Sequence, residues 1–376
     1  MTATDAPATV DGGALVVSGW ATASPYGLGA AAFTEGVRAG REAVAPLDEQ
    51  VRGNGPYDRA GIVPGFDIKT VLGRKGTRSM DRATGLAVAT AGMLLETAGP
   101  GLADDRPEAV GMVLGTGHGS VQSIMDFTRD SLTGDKPFHV DPALFPNTVM
   151  NRAAGQSAIW HTLKGPNTTI SGGALTGLLA LNYAARLLKQ GHAEAVLVGA
   201  VEEFSVARSW LEYHARSGAG RQPAGPLGEG CALFLLEPAA RAAANGRPAL
   251  ATVLGSRFIA FPEPEGAQRA VARAVTEVLK EAGVEIADVT LVVPSDAGGP
   301  LGAREEAALT EVLGPLEPHR LRLRRLLGDA TAASAAFQLA SALAVGEGDG
   351  GLALVTSVDP DGTAGCSLLR LGSAAA

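Results

Sequence analysis

The segment Gly165-Pro166-Asn167-Thr168-Thr169-Ile170-Ser171-Gly172-Gly173-Ala174-Leu175-Thr176-Gly177-Leu178 decides how the chain is read. Asn167 to Ser171 has the β-branched content of a short strand, Gly172 and Gly173 allow a tight turn, and a helical pattern starts at Ala174. A strand, turn and helix in this order lift one side chain to the top of a sheet, against the positive end of a helix dipole. Acyl-transfer chemistry needs a thiolate or alkoxide at that place. The residue there is Ala174. A nucleophile's setting without the nucleophile points to a protein that assists a reaction instead of performing it.

Outward from this turn, short apolar runs alternate with Ala-rich helical stretches. Ala14–Gly19, Ala109–Gly115, Asn167–Ser171, Ala195–Val201 and Cys231–Leu236 read as strands, with helices over Asp81–Ala98, Ala174–Gln190 and Val206–Ala215. A second series of similar order follows. Its strands are Ala249–Gly255, Thr290–Pro294, Gly351–Ser357 and Cys366–Leu371, and its helices are Pro264–Ala282, Arg304–Leu313 and Thr331–Gly346. The alternation implies an α/β fold with a mainly parallel or mixed sheet covered by helices. Ala239–Pro248 is the natural seam, giving related halves at 13–240 and 249–372 behind a flexible N-terminus at 1–12. Lys136–Asn151, rich in Pro and aromatics and without a period, reads as a functional loop.

Composition excludes several classes. The chain has 376 residues, is 46% hydrophobic and carries a net charge of −8, which supports a large core and argues against nucleic acid as a partner. No apolar run is long enough to span a bilayer, and the N-terminus lacks a secretion pattern, so a cytoplasmic location is expected. Cys231 and Cys366 lie in apolar runs and read as buried structural thiols. The six histidines are scattered without ligand spacing, so no metal is expected.

Eight stretches in order now carry a resemblance. They are Val16–Gly29, Gly73–Val88, Gly111–Gly119, Phe145–Gly155, Gly165–Leu178, Leu227–Leu236, Gly299–Gly302 and Gly328–Ala335. Over its whole length the chain resembles the β-ketoacyl synthases, condensing enzymes of the thiolase fold. The resemblance implies a five-layered α-β-α-β-α fold made of two duplicated halves, normally dimeric. It also implies departures. The family's nucleophilic Cys is replaced by Ala174, one His by Ser295, a second His by Asp329 and a Lys by Arg324. The family's Gly-Phe-Gly-Gly-Thr-Asn gating loop is eroded to Asp359–Ala364. Ala174 cannot be acylated, Ser295 lacks an imidazole's acid–base range, and an ionised Asp329 repels a developing enolate.

The pattern resembles the chain length factor, the catalytically silent homologue that pairs with an active ketosynthase in type II polyketide synthases. Many chain length factors carry Gln where Ala174 stands, a residue linked to decarboxylative priming. A branch making reduced polyenes is the expectation drawn from Phe145–Val149 and the short Arg221–Pro226 connection. No cofactor is implied beyond the phosphopantetheine of an acyl carrier protein, which is the second partner after the ketosynthase. Asn167, Thr168, Thr169 and Ile170 align with the strand that pairs across the dimer; the alternative is an internal strand. His118, Val121, Gln122 and Met125, on a segment running to Leu132, align with the acyl-tunnel wall. Leu144 and Phe145 align with a loop that reaches the neighbour's pocket. Ordinary core packing is the alternative for all six.

His319–Arg325 reads as a strand with a solvated basic face, or as an approach surface for a carrier protein. Glu202, Glu203 and Glu229 read as structural. Two competing functions remain open: a decarboxylase or acyltransferase using Ser171, Ser295 or Asp329, and a homodimeric acyl-binding module. No Ser has a His placed by motif to activate it.

Overall fold

The computed structural model describes residues 13–372 apart from 100, 104–105, 219–224 and 347–349, so the expected flexible segment 1–12 lies outside the described residues. In the first half, strands β1 (Leu15–Ser24), β2 (Val110–Gly115), β3 (Asn167–Ile170), β4 (Ala195–Glu202) and β5 (Gly230–Pro238) stand in the order β3-β2-β4-β5-β1. In the second, β6 (Ala251–Ala260), β7 (Val289–Val293), β8 (His319–Arg320), β9 (Leu352–Asp359) and β10 (Thr363–Leu371) stand in the order β8-β7-β9-β10-β6. Both series pair parallel, parallel, antiparallel and antiparallel along that order. The topology is therefore written twice. β1 and β6 join the two series through the antiparallel pairs Val16 with Thr252 and Val17 with Ala251.

Helices separate into three layers. Between the half-sheets lie α4 (Thr176–Lys189) and α9 (Ser334–Gly346), whose Leu178, Leu181, Phe337 and Leu339 share one core with Val113 and Val198 on one side and Val293 and Val355 on the other. A Cβ at Gly177 would stand 2.5 Å from the Ala336 nitrogen, so the two central helices touch through a glycine. α1 (Arg82–Ala98) and α3 (Arg152–Trp160) cover the outer face of the first half-sheet. α6 (Ala267–Ala282) and α7 (Gly299–Leu313) cover that of the second. This is the five-layered thiolase-like arrangement. Strands such as β4 and β9 are buried along their whole length on both faces, which is why their sequences are continuous apolar runs.

One expected element is corrected. The strand expected over His319–Arg325 is limited to His319–Arg320, and Arg324–Leu327 forms a short helix, α8. Leu323, Leu326 and Leu327 are buried at helical spacing, and Gly328, at φ +80°, ends the turn. Cys231 and Cys366 are buried and unpaired, and burial pushes both thiols up to about 12. Among the described residues no helix is long and apolar enough to cross a membrane.

Candidate functional site

β3 runs to Ile170, and the chain reverses through Gly172 and Gly173, the latter at φ +55°, before α4 begins. The Thr176 hydroxyl donates to the Gly173 carbonyl at 2.6 Å and accepts from the Gly172 N–H at 3.0 Å, tying the turn to the helix. Ala174 therefore stands at the head of α4, where the sequence placed it. Its N–H donates to Oδ2 of Asp359 at 2.7 Å, and its carbonyl accepts from the Ser357 hydroxyl at 3.2 Å. Both partners belong to β9, so the second half clamps the turn of the first.

Asp359 is 6% exposed, and its other oxygen accepts from the Asp361 N–H at 2.8 Å. Burial raises its carboxyl above the usual range, opposed by the Ala174 and Asp361 amides and reinforced by the charges of Asp361 and Asp329. Pro360, the next residue, has no N–H to offer.

Ser295, Asp329 and Arg324, which the sequence reading takes as replaced positions, lie in two further hydrogen-bonded groups. The Ser295 hydroxyl donates to Oε2 of Glu305 at 2.5 Å and its N–H to Oε1 at 3.0 Å, while Oε1 also accepts from the Thr356 hydroxyl at 2.7 Å. Burial pushes the Glu305 carboxyl up to about 7. Asp329 is ion-paired with Arg324 and accepts from the Thr331 N–H at 2.9 Å. The expected repulsion by a bare Asp329 charge is thus tempered, because the acid is held with its counter-ion Arg324.

Behind them lies a hub the sequence did not announce. Arg208, on α5 (Val206–Gly218), is 2% exposed and donates to the carbonyls of Glu203 at 2.6 Å, Gly228 at 2.8 Å and Asp329 at 3.1 Å. It also donates to the Thr331 hydroxyl at 3.0 Å. Glu202 and Glu203 are buried beside it, Glu203 pushed up to about 8 mainly by burial. Glu229 accepts from Arg82 at 2.5 Å and from the amides of Val63 and Phe204, so the three glutamates serve structure, as read from the sequence. Arg208 shares its helix with a second arginine, Arg216, so nothing in the local sequence singled it out.

The candidate tunnel residues fall on one side of the molecule. α2 (Val121–Thr133) starts from Ser120, whose hydroxyl accepts from the Ser123 N–H. Val121 is buried, Gln122 half-buried with its carbonyl oxygen on the Ala207 amide at 3.1 Å, and His118 is exposed in the preceding turn. Met125 is 55% and Phe145 56% exposed, with Leu144 also exposed, so Met125, Leu144 and Phe145 are not core residues of this chain. Phe127 lies against Phe145 at 5.9 Å between ring centroids. Phe138, Leu132 and Ile159 add exposed apolar surface. β3, with Asn167, Thr168, Thr169 and Ile170, is the outermost strand of its half-sheet, pairing only with β2 among the described residues.

The basic run is largely neutralised: Arg320 pairs with Glu306, Arg322 with Glu306 and Asp296, and Arg324 with Asp329. Arg74, Lys75 and Arg78, by contrast, are exposed and make no ion pair among the described residues. They sit beside the Phe145 turn, since the Asn147 amide donates to the Ser79 carbonyl at 2.7 Å. The Ser171 hydroxyl is spent on the Gly117 carbonyl at 3.0 Å.

Comparison with known proteins agrees with this geometry. The model of the β-ketoacyl synthase N-terminal domain matches residues 14–242. A putative polyketide beta-ketoacyl synthase 2 of Streptomyces halstedii is 30% identical over 351 residues, covering 87% of this chain and 84% of that protein. A 3-oxoacyl-[acyl-carrier-protein] synthase 2 of Vibrio cholerae is 26% identical over 291 residues, covering 72% and 70%. Among solved structures, the ishigamide ketosynthase/chain length factor superposes with a TM-score of 0.87 at 41% identity, over 96% of this chain and 100% of that one. The chain belongs to the β-ketoacyl synthase family.

Proposed function

We propose that this chain is the non-catalytic, chain-length-factor-type subunit of a type II polyketide ketosynthase, pairing with an active ketosynthase to complete its acyl tunnel. The observation that carries this reading is Ala174: the elbow is built, lacks a nucleophile, and its amide is bonded within the chain. The 41% identity to the ishigamide ketosynthase/chain length factor supports the same reading. So do the outer edge of β3 and the exposed Met125, Phe145 and Ile159, the last on the helix bonded to β3 through Asn167, which together suit a companion of the same fold.

In this reading Asn167–Ile170 pair with the companion's matching strand. His118, Val121, Gln122, Met125, Leu144 and Phe145 supply tunnel wall, and the volume they leave limits the chain. One methylene in such a pocket is worth about 1 kcal/mol. Chains arrive on the phosphopantetheine of an acidic carrier protein, for which the unpaired Arg74, Lys75 and Arg78 are the suitable approach surface. The buried, unpaired thiols suit a reducing cytoplasm.

The test is reconstitution. This chain and a ketosynthase with an intact Cys are supplied with radiolabelled malonyl-carrier protein, separately and after co-expression. Elongation is expected only from the pair, with this chain and the ketosynthase recovered one to one. Turnover by this chain alone rejects the reading in favour of a decarboxylase or acyltransferase, and preferential self-association rejects it in favour of a homodimeric acyl-binding module.

A further inference from the structure

We propose that the Asp359 carboxylate is a built-in occupant of the elbow's amide pocket, barring a substrate carbonyl or oxyanion from it. The inference concerns the chain's own pocket and stands whether or not a ketosynthase binds.

An acyl-transfer turn keeps this amide free to receive the negative charge that develops on a carbonyl oxygen. Here the Ala174 N–H already meets a carboxylate oxygen at 2.7 Å, while the second oxygen is held by Asp361 at 2.8 Å. The Asp359 main-chain carbonyl accepts from the Gly362 N–H at 3.1 Å, so the loop closes around its own side chain. Ser357 holds the far side of the turn at 3.2 Å. The seat is shaped for a carboxylate: a Cβ at Gly173 would lie 1.9 Å from Oδ2. Any second acceptor aimed at the Ala174 amide would face a buried negative group at close range, where repulsion is only weakly screened. Pro360 has no N–H to serve as a substitute donor.

Two capacities are therefore lost separately, the nucleophile at Ala174 and the receptor for the oxyanion beside it. Restoring a thiol alone leaves that thiol beside a carboxylate, which disfavours the thiolate.

The test uses the full chain carrying Ala174→Cys alone, Ala174→Cys with Asp359→Asn, and Ala174→Cys with Asp359→Gly. Alkylation by iodoacetamide is followed from pH 6 to 10 against the low background of two buried native thiols. The introduced thiol in the single variant should titrate above the ordinary thiol range. Both double variants should titrate about one pH unit lower and react about tenfold faster at neutral pH. Identical rates and pH profiles in all three overturn the proposal. Hydrogen exchange gives a second reading without the introduced thiol. In Asp359→Ala the Ala174 amide should exchange at least about tenfold faster than in the unaltered chain, with the amides of β4 unchanged; an unaltered rate at Ala174 overturns the proposal equally.

Discussion

Gly173 and Asp359, from opposite halves of the duplicated fold, are fitted so closely that a methyl group on the glycine would stand 1.9 Å from the aspartate's Oδ2. Gly173 also holds φ +55°, a conformation that side chains resist. Gly173→Ala should therefore cost about 3 kcal/mol or more, from strain plus displacement of a buried carboxylate. Adding Asp359→Gly should recover the displacement part and leave the strain of about 1 kcal/mol. Urea unfolding of the three variants checks this; equal stabilities of the single and double variants would refute the fit.

Arg208 should behave as a structural keystone. Arg208→Ala leaves the carbonyls of Gly228 and Asp329 without this donor inside the protein and removes a positive charge from beside Glu202. The expected loss is about 3–5 kcal/mol. Arg208→Lys should recover only part, because an ammonium cannot reproduce the planar fork. A loss below about 1 kcal/mol on chemical denaturation would contradict the hub.

Glu305 makes stability depend on pH in a specified direction. Its carboxyl lies near 4.5 when unfolded and is pushed up to about 7 by burial in the fold. Between those values the folded chain retains a proton that the unfolded chain has released. Its contribution is complete below the lower value, declines as pH rises, and is gone above about 7, a total on the order of 3 kcal/mol. Glu305→Gln keeps an acceptor for the Ser295 and Thr356 donors and offers its N–H to the Ser295 hydroxyl. It should flatten this slope and be the more stable form at pH 8. Unfolding free energies at pH 5 and 8 decide; an unchanged slope counts against Glu305 as the titrating group.

The apolar side is open to a sharp test. Ile159 is 74% exposed, so Ile159→Asp should change the stability of the isolated chain by no more than about 0.5 kcal/mol. If a ketosynthase covers this surface, the same change should weaken association at least tenfold, as about 1.5 kcal/mol of lost burial requires. Titration of labelled partner reads the difference. Undiminished binding would place the contact elsewhere.

Much of the fold was legible because its strands are buried on both faces. Ala195–Glu202 and Leu352–Asp359 announce themselves as continuous apolar runs, and the Gly-Gly-Ala turn fixed Ala174 by local chemistry alone. The His319–Arg325 stretch misled because Leu321 and Leu323 alternate with arginines, while Leu323, Leu326 and Leu327 also satisfy a helical spacing. Tertiary burial chose the latter. The polar wiring was hidden for a different reason. Asp359 meets Ala174 across 185 residues, and Arg208 meets Asp329 across 121, so no local pattern records either contact. The erosion of the Asp359–Ala364 loop was visible, but the destination of its carboxylate was not.

The outer rim of β3 carries a last consequence, for how such a chain must be made. A strand whose outer rim is unpaired among the described residues, on a chain that also exposes Phe145 and Ile159, is a template for indiscriminate sticking between copies. If the proposed ketosynthase covers that rim, this polypeptide made in excess of it should precipitate or form ragged oligomers, and matched supply of the two products would then be the safeguard rather than extra thermodynamic robustness of this one.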